Sequence, residues 1–146
     1  MGGMVASLVV VVAASCSRPP TPAAQVRAAE PTMLGEFLDD YGERHSISAS
    51  EWVQAVHSRY RIVRWAPREH FLIAQNDSAN TSAANQWTRI DWIRLEAMPP
   101  YTWAFCFSAY AAPTAAAAES THVAKPDTPR TGCNGHPFTR MKHVDR

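Results

Sequence analysis

The chain has 146 residues, 46% hydrophobic and 18% charged, and its 14 Lys+Arg against 13 Asp+Glu leave a formal charge of +1. That length builds one domain of ordinary size rather than two well-buried cores. The near balance of charge excludes the basic footprint of a nucleic-acid binder, and the apolar content excludes disorder throughout.

Residues Met4 to Ala14 (MVASLVVVVAA) form an uncharged apolar run of signal-peptide length, well short of the roughly 20 residues that span a bilayer. The run ends in Ala13, Ala14, Ser15 and Cys16. Small residues before a cysteine resemble the bacterial lipobox, which implies a signal peptide over 1–15, lipidation of Cys16 and anchoring to a membrane. Two features depart from that pattern: Ala13 stands where leucine is usual, and no Lys or Arg precedes the run. An ordinary cleaved signal and an uncleaved apolar tail are the alternatives. The expected location is the bacterial cell envelope, facing the periplasm or the cell surface, with a secreted protein as the alternative. Ser17 after Cys16 favours the outer membrane by resemblance to the sorting rule of Gram-negative lipoproteins.

From Ser17 to Thr32 the chain is rich in Pro and Ala and has no aromatic residue, so it buries too little apolar surface to offset the entropy of ordering it. Residues 16–35 therefore read as lipidated cysteine and tether. Every Trp, Tyr and Phe follows Gly35, which places a single β-rich domain over 36–146.

Strand composition marks Arg44 to Ile47, Tyr60 to Trp65, Phe71 to Gln75, Trp87 to Leu95 and Tyr101 to Tyr110. The connectors Ala66–Glu69 and Met98–Pro100 are short, and consecutive strands so joined favour an antiparallel sheet or meander, with closure into a barrel as one form of it. In the last of these strands Tyr101, Trp103, Phe105 and Phe107 share one face, expected to be core, while Thr102, Ala104, Cys106 and Ser108 share the other. The stretch SASEWVQAV fits helix and strand equally, because Ser48 and Glu51 have capping-box spacing and Trp52, Ala55 and Val56 have helical spacing. PTAAAAESTHVA predicts a short helix near Ala115 to Ala124, and the segment from Lys125 onward reads as a loop.

With Cys16 lipidated, Cys106 and Cys133 remain as an even pair in an oxidising compartment, and a disulfide is expected. Closing a loop of about 28 residues would stabilise the fold by roughly 3 to 4 kcal/mol in the chain-entropy model. Two free buried thiols are the alternative. The bridge would pin the tail to the strand, with Phe138 as its apolar anchor.

The blocks FLIAQND, WTRIDW, YTWAFCFSAY and TGCNGHPFTRM, in that order between Asp40 and Met141, resemble a family of small bacterial secreted and lipoprotein modules. The resemblance implies an envelope location, a β-rich domain and a Cys106–Cys133 bridge, and it brings no catalytic residues. His136 stands where the pattern has an aromatic residue.

Candidate sites are few. His45 beside Asp39, Asp40 and Tyr41 could offer an imidazole and two carboxylates to a metal, against the plainer reading of a solvated acidic turn and a half-buried histidine. Arg89 and Asp91 share one face of a strand and Arg94 lies on the other, which suggests an anion or carboxylate site or a structural ion pair. Trp87, Trp92 and Trp103 would form a stacking platform if exposed and a core if not. The polar stretch Asn76–Asn85 reads as a surface loop with sequons at Asn76 and Asn80, and Arg140, Lys142, His143 and Arg146 form a small basic end that could touch anionic headgroups. The chain contains no GxSxG, HExxH, P-loop or dinucleotide motif, and no cofactor is expected. Three functions follow: a lipid-anchored module binding a ligand or envelope partner, an envelope hydrolase using His45 or His70 with a carboxylate, and a purely structural domain.

Overall fold

The computed structural model describes residues 29–55 and 58–144. Eight antiparallel strands run in sequence order and close on themselves: β1 (Gly35–Asp39), β2 (Arg44–Ile47), β3 (Glu51–Gln54), β4 (Ser58–Ala66), β5 (Phe71–Asn76), β6 (Trp87–Arg94), β7 (Trp103–Ala112) and β8 (Thr139–His143). Each strand pairs with its neighbour in sequence, and β1 pairs with β8 through Phe37↔His143 and Asp39↔Met141. The meander expected from the short connectors is thus a closed barrel, which leaves no unpaired sheet edge.

Alternation fills the interior. Phe37, Ile47, Trp52, Tyr60, Ile62, Trp65, Leu72, Ile90, Trp92, Trp103, Phe105 and Met141 are buried in one cluster, with Phe107 and Tyr110 packed against it. The aromatic face expected of β7 is therefore core. In β4 a plain two-residue period starting from Tyr60 and Ile62 would turn Arg64 inward. A register shift between Ile62 and Arg64 reverses the parity, so that Arg64 opposes Ile73 on the outside and Trp65 opposes Leu72 within. Within SASEWVQAV, Glu51–Gln54 is strand, and Val56 lies outside the described residues: Ser48 receives the Glu51 amide as in a cap, but Trp52 pairs with Ile47 on one side and Tyr60 on the other. Tertiary pairing overrides the local helical spacing.

One end of the barrel is plugged. A turn of 3-10 helix, Pro31–Met33, drives Met33 into the core, with Glu30 accepting from Thr32 at its start.

Part of the outer wall is covered too. Helix α1 (Ala115–Glu119) lays Ala118 over Phe71 and Ile73. It stops at Glu119 instead of reaching Ala124, because the hydroxyls of Ser120 and Thr121 both donate to the Ala117 carbonyl and compete with the helix ladder. Cys106 and Cys133 are bonded, and beside the bridge Phe138 packs with Ile93 and Ala104 on the outer face of β6 and β7. Both faces of β6 are thereby buried, which explains its near-continuous burial.

The segment after Lys125 is not loop throughout. It makes a hairpin-like turn at Asn134–Gly135, with φ of 51° and 88°, and then enters the barrel as β8. Lys125 N–H donates to the Gly132 carbonyl at 2.8 Å, and a Cβ at Gly132 would stand 2.1 Å from the Lys125 oxygen and 2.7 Å from that of Thr128. Backbone atoms cannot move aside as a side chain can. Gly132→Ala is therefore expected to destabilise the protein by roughly 1 to 3 kcal/mol in urea denaturation, and an unchanged midpoint would refute this account.

Candidate functional site

Arg89 and Asp91 come together as the alternation in β6 requires. Arg89 donates from Nε and Nη2 to the two Asp91 oxygens at 2.8 and 2.7 Å, a bidentate fork. Its remaining Nη1 donates to the Glu119 carbonyl at 2.5 Å, and its guanidinium carbon lies 4.0 Å from the centre of the Phe71 ring. Ser108 Oγ donates to Asp91 from β7. Both charged residues are buried, and the three hydrogen bonds donated by Arg89 and the one from Ser108 all lie within the protein. The geometry locks α1 onto the wall and presents no guanidinium edge to an incoming anion.

Arg94 lies on the opposite face, as the two-residue period requires, and reaches the Glu30 carboxylate at 3.1 Å beside the plug. Trp92 is buried in the core, 5.8 Å from Trp65 and stacked at 6.0 Å on His70. Trp103 is core as well, and Trp87 is half-buried under the Ala-rich segment of α1. These tryptophans form packing, not a shared platform. Cys16 lies outside the described residues, as do His57 and Arg146.

His45 is fully buried rather than half-buried. Its Nε2 lies 3.0 Å from Asp39 Oδ2, and its Nδ1 lies 3.1 Å from the Trp52 indole nitrogen. The indole can only donate, so Nδ1 accepts and the proton sits on Nε2, facing Asp39. Asp39 Oδ1 in turn receives the amides of Tyr41 and Glu43 at 2.9 and 2.8 Å. Asp39, Glu43 and His45 do lie close enough to suggest a metal cluster. Yet both ring nitrogens are already engaged, so the imidazole offers neither a ligand atom nor a base. Asp40, the second carboxylate of the expected set, faces outward and pairs with Arg140 at 2.8 Å. Sequence spacing did not reveal the chain of Asp39, His45 and Trp52, because its members sit on three strands. Its signal is parity: Asp39 follows Phe37 by two positions, and His45 precedes Ile47 by two, so each polar group shares the inward face of an apolar neighbour.

The polar stretch after β5 is less exposed than its composition suggests. Asn76 is buried and donates to the carbonyls of Ala83 and Tyr110 at 2.9 Å each, while Thr88 Oγ1 donates to its Oδ1 at 2.5 Å. Asn80 bridges the Arg59 backbone, accepting from its amide and donating to its carbonyl, both at 2.9 Å. Both sequon side chains are consumed as loop supports.

One surface cleft with room for a ligand lies on the outer wall. A cleft of about 480 Å³ runs between the outer faces of β6, β7 and β8, the β1–β2 turn and the disulfide-pinned tail. Ile93, Leu95, Met98 and Phe138 make its apolar lining, and Tyr41 stands at its edge. Tyr41 and Met98, 76% and 43% exposed, are the large hydrophobic residues left in solvent among the described residues. Two guanidinium groups join them. Arg140 is held by Asp40, which raises its pKa further above its ordinary value, and lies 4.8 Å from the Tyr101 ring centre. Arg130 is exposed and makes no ion pair among the described residues. No local pattern marks this cleft, because its lining comes from five separate segments that only the closed barrel and the bridge bring together.

No protein-family model, curated protein or solved structure matches the chain.

Proposed function

We propose that the chain is a lipid-anchored module of the bacterial cell envelope, held to a membrane by a lipid on Cys16 and by the tether over 16–35. Its outer cleft binds a ligand that combines an apolar body with an anionic group. The observation that carries the reading is the meeting of Tyr41 and Met98, exposed against the usual tendency of such side chains, with Arg130 in one cleft. A concavity of a few hundred cubic ångströms, mostly apolar with a few placed polar groups, is the ordinary form of a ligand site. The Cys106–Cys133 bridge supports an oxidising compartment. A hydrolase needs a base that a substrate can reach, and the engaged ring nitrogens of His45 remove one of the two histidines that alternative would use, while His70 stacks on Trp92.

Isothermal titration of the barrel with dodecanoate, dodecanol and dodecyltrimethylammonium, each below its micelle concentration, tests the cleft. Saturable binding of the carboxylate is expected, weakened about tenfold in the alcohol and in an Arg130→Gln variant, the loss of one charge-assisted contact. Equal affinity for all three amphiphiles, or binding untouched by Arg130→Gln and by Tyr41→Ser, would overturn the assignment. Mass spectrometry of protein recovered from bacterial membranes tests the anchor, and a mature N-terminus other than a lipidated Cys16 would remove it.

A further inference from the structure

The tail that the Cys106–Cys133 bridge pins down carries a recess of its own, which shares no residue with the outer cleft. A space of about 370 Å³ is bordered by His122, Val123 and Lys125 from one run of chain and by Thr131, Asn134 and Gly135 from another. Main chain holds the two runs together. Ala124 and Cys133 form an antiparallel bridge, the Lys125 amide donates to the Gly132 carbonyl at 2.8 Å, and the disulfide ties Cys133 to β7. The walls are thus fixed by backbone and covalent bonds rather than by the side chains that border the space.

Donors and acceptors are unequally spent there. The Lys125 carbonyl accepts from the amide and hydroxyl of Thr128 at 3.1 and 3.4 Å, and the Thr131 carbonyl accepts from the Gly135 amide at 3.1 Å. The side chains of His122, Lys125, Thr131 and Asn134 are exposed, and none of them makes a hydrogen bond or an ion pair among the described residues. Lys125 brings a full positive charge and three N–H donors, and His122, Thr131 and Asn134 each bring at least one donor more. No carboxylate borders the recess. Asp127, two positions past Lys125, is neither part of the lining nor paired with the ammonium group.

We propose that this recess is an oxyanion site that takes a phosphoryl group, with Lys125 as its charge partner and Thr131, Asn134 and His122 as further donors. A phosphoryl monoester offers three strong acceptor oxygens and about −1.5 to −2 of charge near neutral pH, which suits a lysine and several neutral donors around one space. A carboxylate, with two oxygens and a single charge, leaves part of that donor set unmet. A cation finds no ionised ligand. The site and the outer cleft have no residue in common, so either assignment can fail without the other.

The experiment titrates the 146-residue chain, carrying Cys16→Ser so that it stays unlipidated, with inorganic phosphate at constant ionic strength and follows its amide and side-chain resonances. Saturable shifts centred on residues 122–125 and 131–135 are expected. Lys125→Gln should weaken binding about fivefold, the loss of one exposed charge-assisted contact, and Thr131→Val about twofold, the loss of a neutral one. Both side chains are exposed and unbonded, and melting curves confirm that the variants fold as the parent does. Arg68→Gln, which removes an exposed cation from the turn between β4 and β5, should leave phosphate binding as it was. Shifts that chloride reproduces at the same ionic strength, no saturation up to tens of millimolar phosphate, tighter binding of acetate than of phosphate, or a Lys125→Gln variant no weaker than Arg68→Gln would each overturn the proposal. Co-sedimentation with phosphatidylcholine vesicles, with and without phosphatidate, then separates the sources. Extra retention on phosphatidate that Lys125→Gln removes points to a lipid headgroup, and phosphate binding with equal retention on both vesicles points to a free phosphate.

Discussion

Replacing Asp91 with alanine should cost roughly 3 to 5 kcal/mol of folding free energy, the usual consequence of leaving a buried charge without its partner. The Arg89 side chain is only 6% exposed and would lose two of its three hydrogen bonds. Its remaining bond to Glu119 cannot compensate, and Ser108 would lose its acceptor as well. Removing both charges, as Arg89→Met with Asp91→Leu, is expected to recover much of the loss, since two apolar side chains of similar volume need no mutual solvation. Urea denaturation of wild type, Asp91→Ala, the single variants Arg89→Met and Asp91→Leu, and the double variant measures this. An Asp91→Ala variant within about 1 kcal/mol of wild type, the range of an exposed pair, would show that water reaches Arg89 after all.

Cys133→Ser is expected to lower stability by roughly 2 to 5 kcal/mol, because the bridge removes conformational freedom from the unfolded chain. The Cα atoms stand 5.4 Å apart, within the ordinary range for a disulfide. The loss should be felt in the connector before it is felt in the barrel: amide exchange ought to accelerate over Ala124 to His136, while the β4 and β5 amides keep their protection until global unfolding. Labelling of the unfolded, unreduced protein should find neither Cys106 nor Cys133 reactive. A stability difference below about 1 kcal/mol, or labelling of both thiols without reductant, would remove the bridge from the account.

What could be read from the sequence follows physical strength of signal. In β7 the pattern Trp103, Phe105, Phe107 against Ala104, Cys106, Ser108 is unambiguous, and it places Cys106 on the outer face where the tail can reach it. The strands that close the barrel carry no such pattern. GEFLD and TRMKH are five residues each, and in TRMKH the only buried side chain is Met141. Such segments become strands because neighbours on both sides supply the hydrogen bonds, which no local propensity encodes. Arg89 and Asp91 were legible as a pair because they sit two positions apart on one strand. The outer cleft was not, since Tyr41 meets Met98 only after the sheet has closed on itself.

That closure also sets a timetable for the chain. β1 is completed only by β8, whose last paired residue, His143, lies more than a hundred positions after its partner Phe37. Until those final residues have been synthesised, β1 and β7 each keep an open edge, and the aromatic interior has no wall on one side. A nascent chain of this kind gains little from folding early. The seam between β1 and β8 is therefore expected to form last, once residues 139–143 are available to complete both edges.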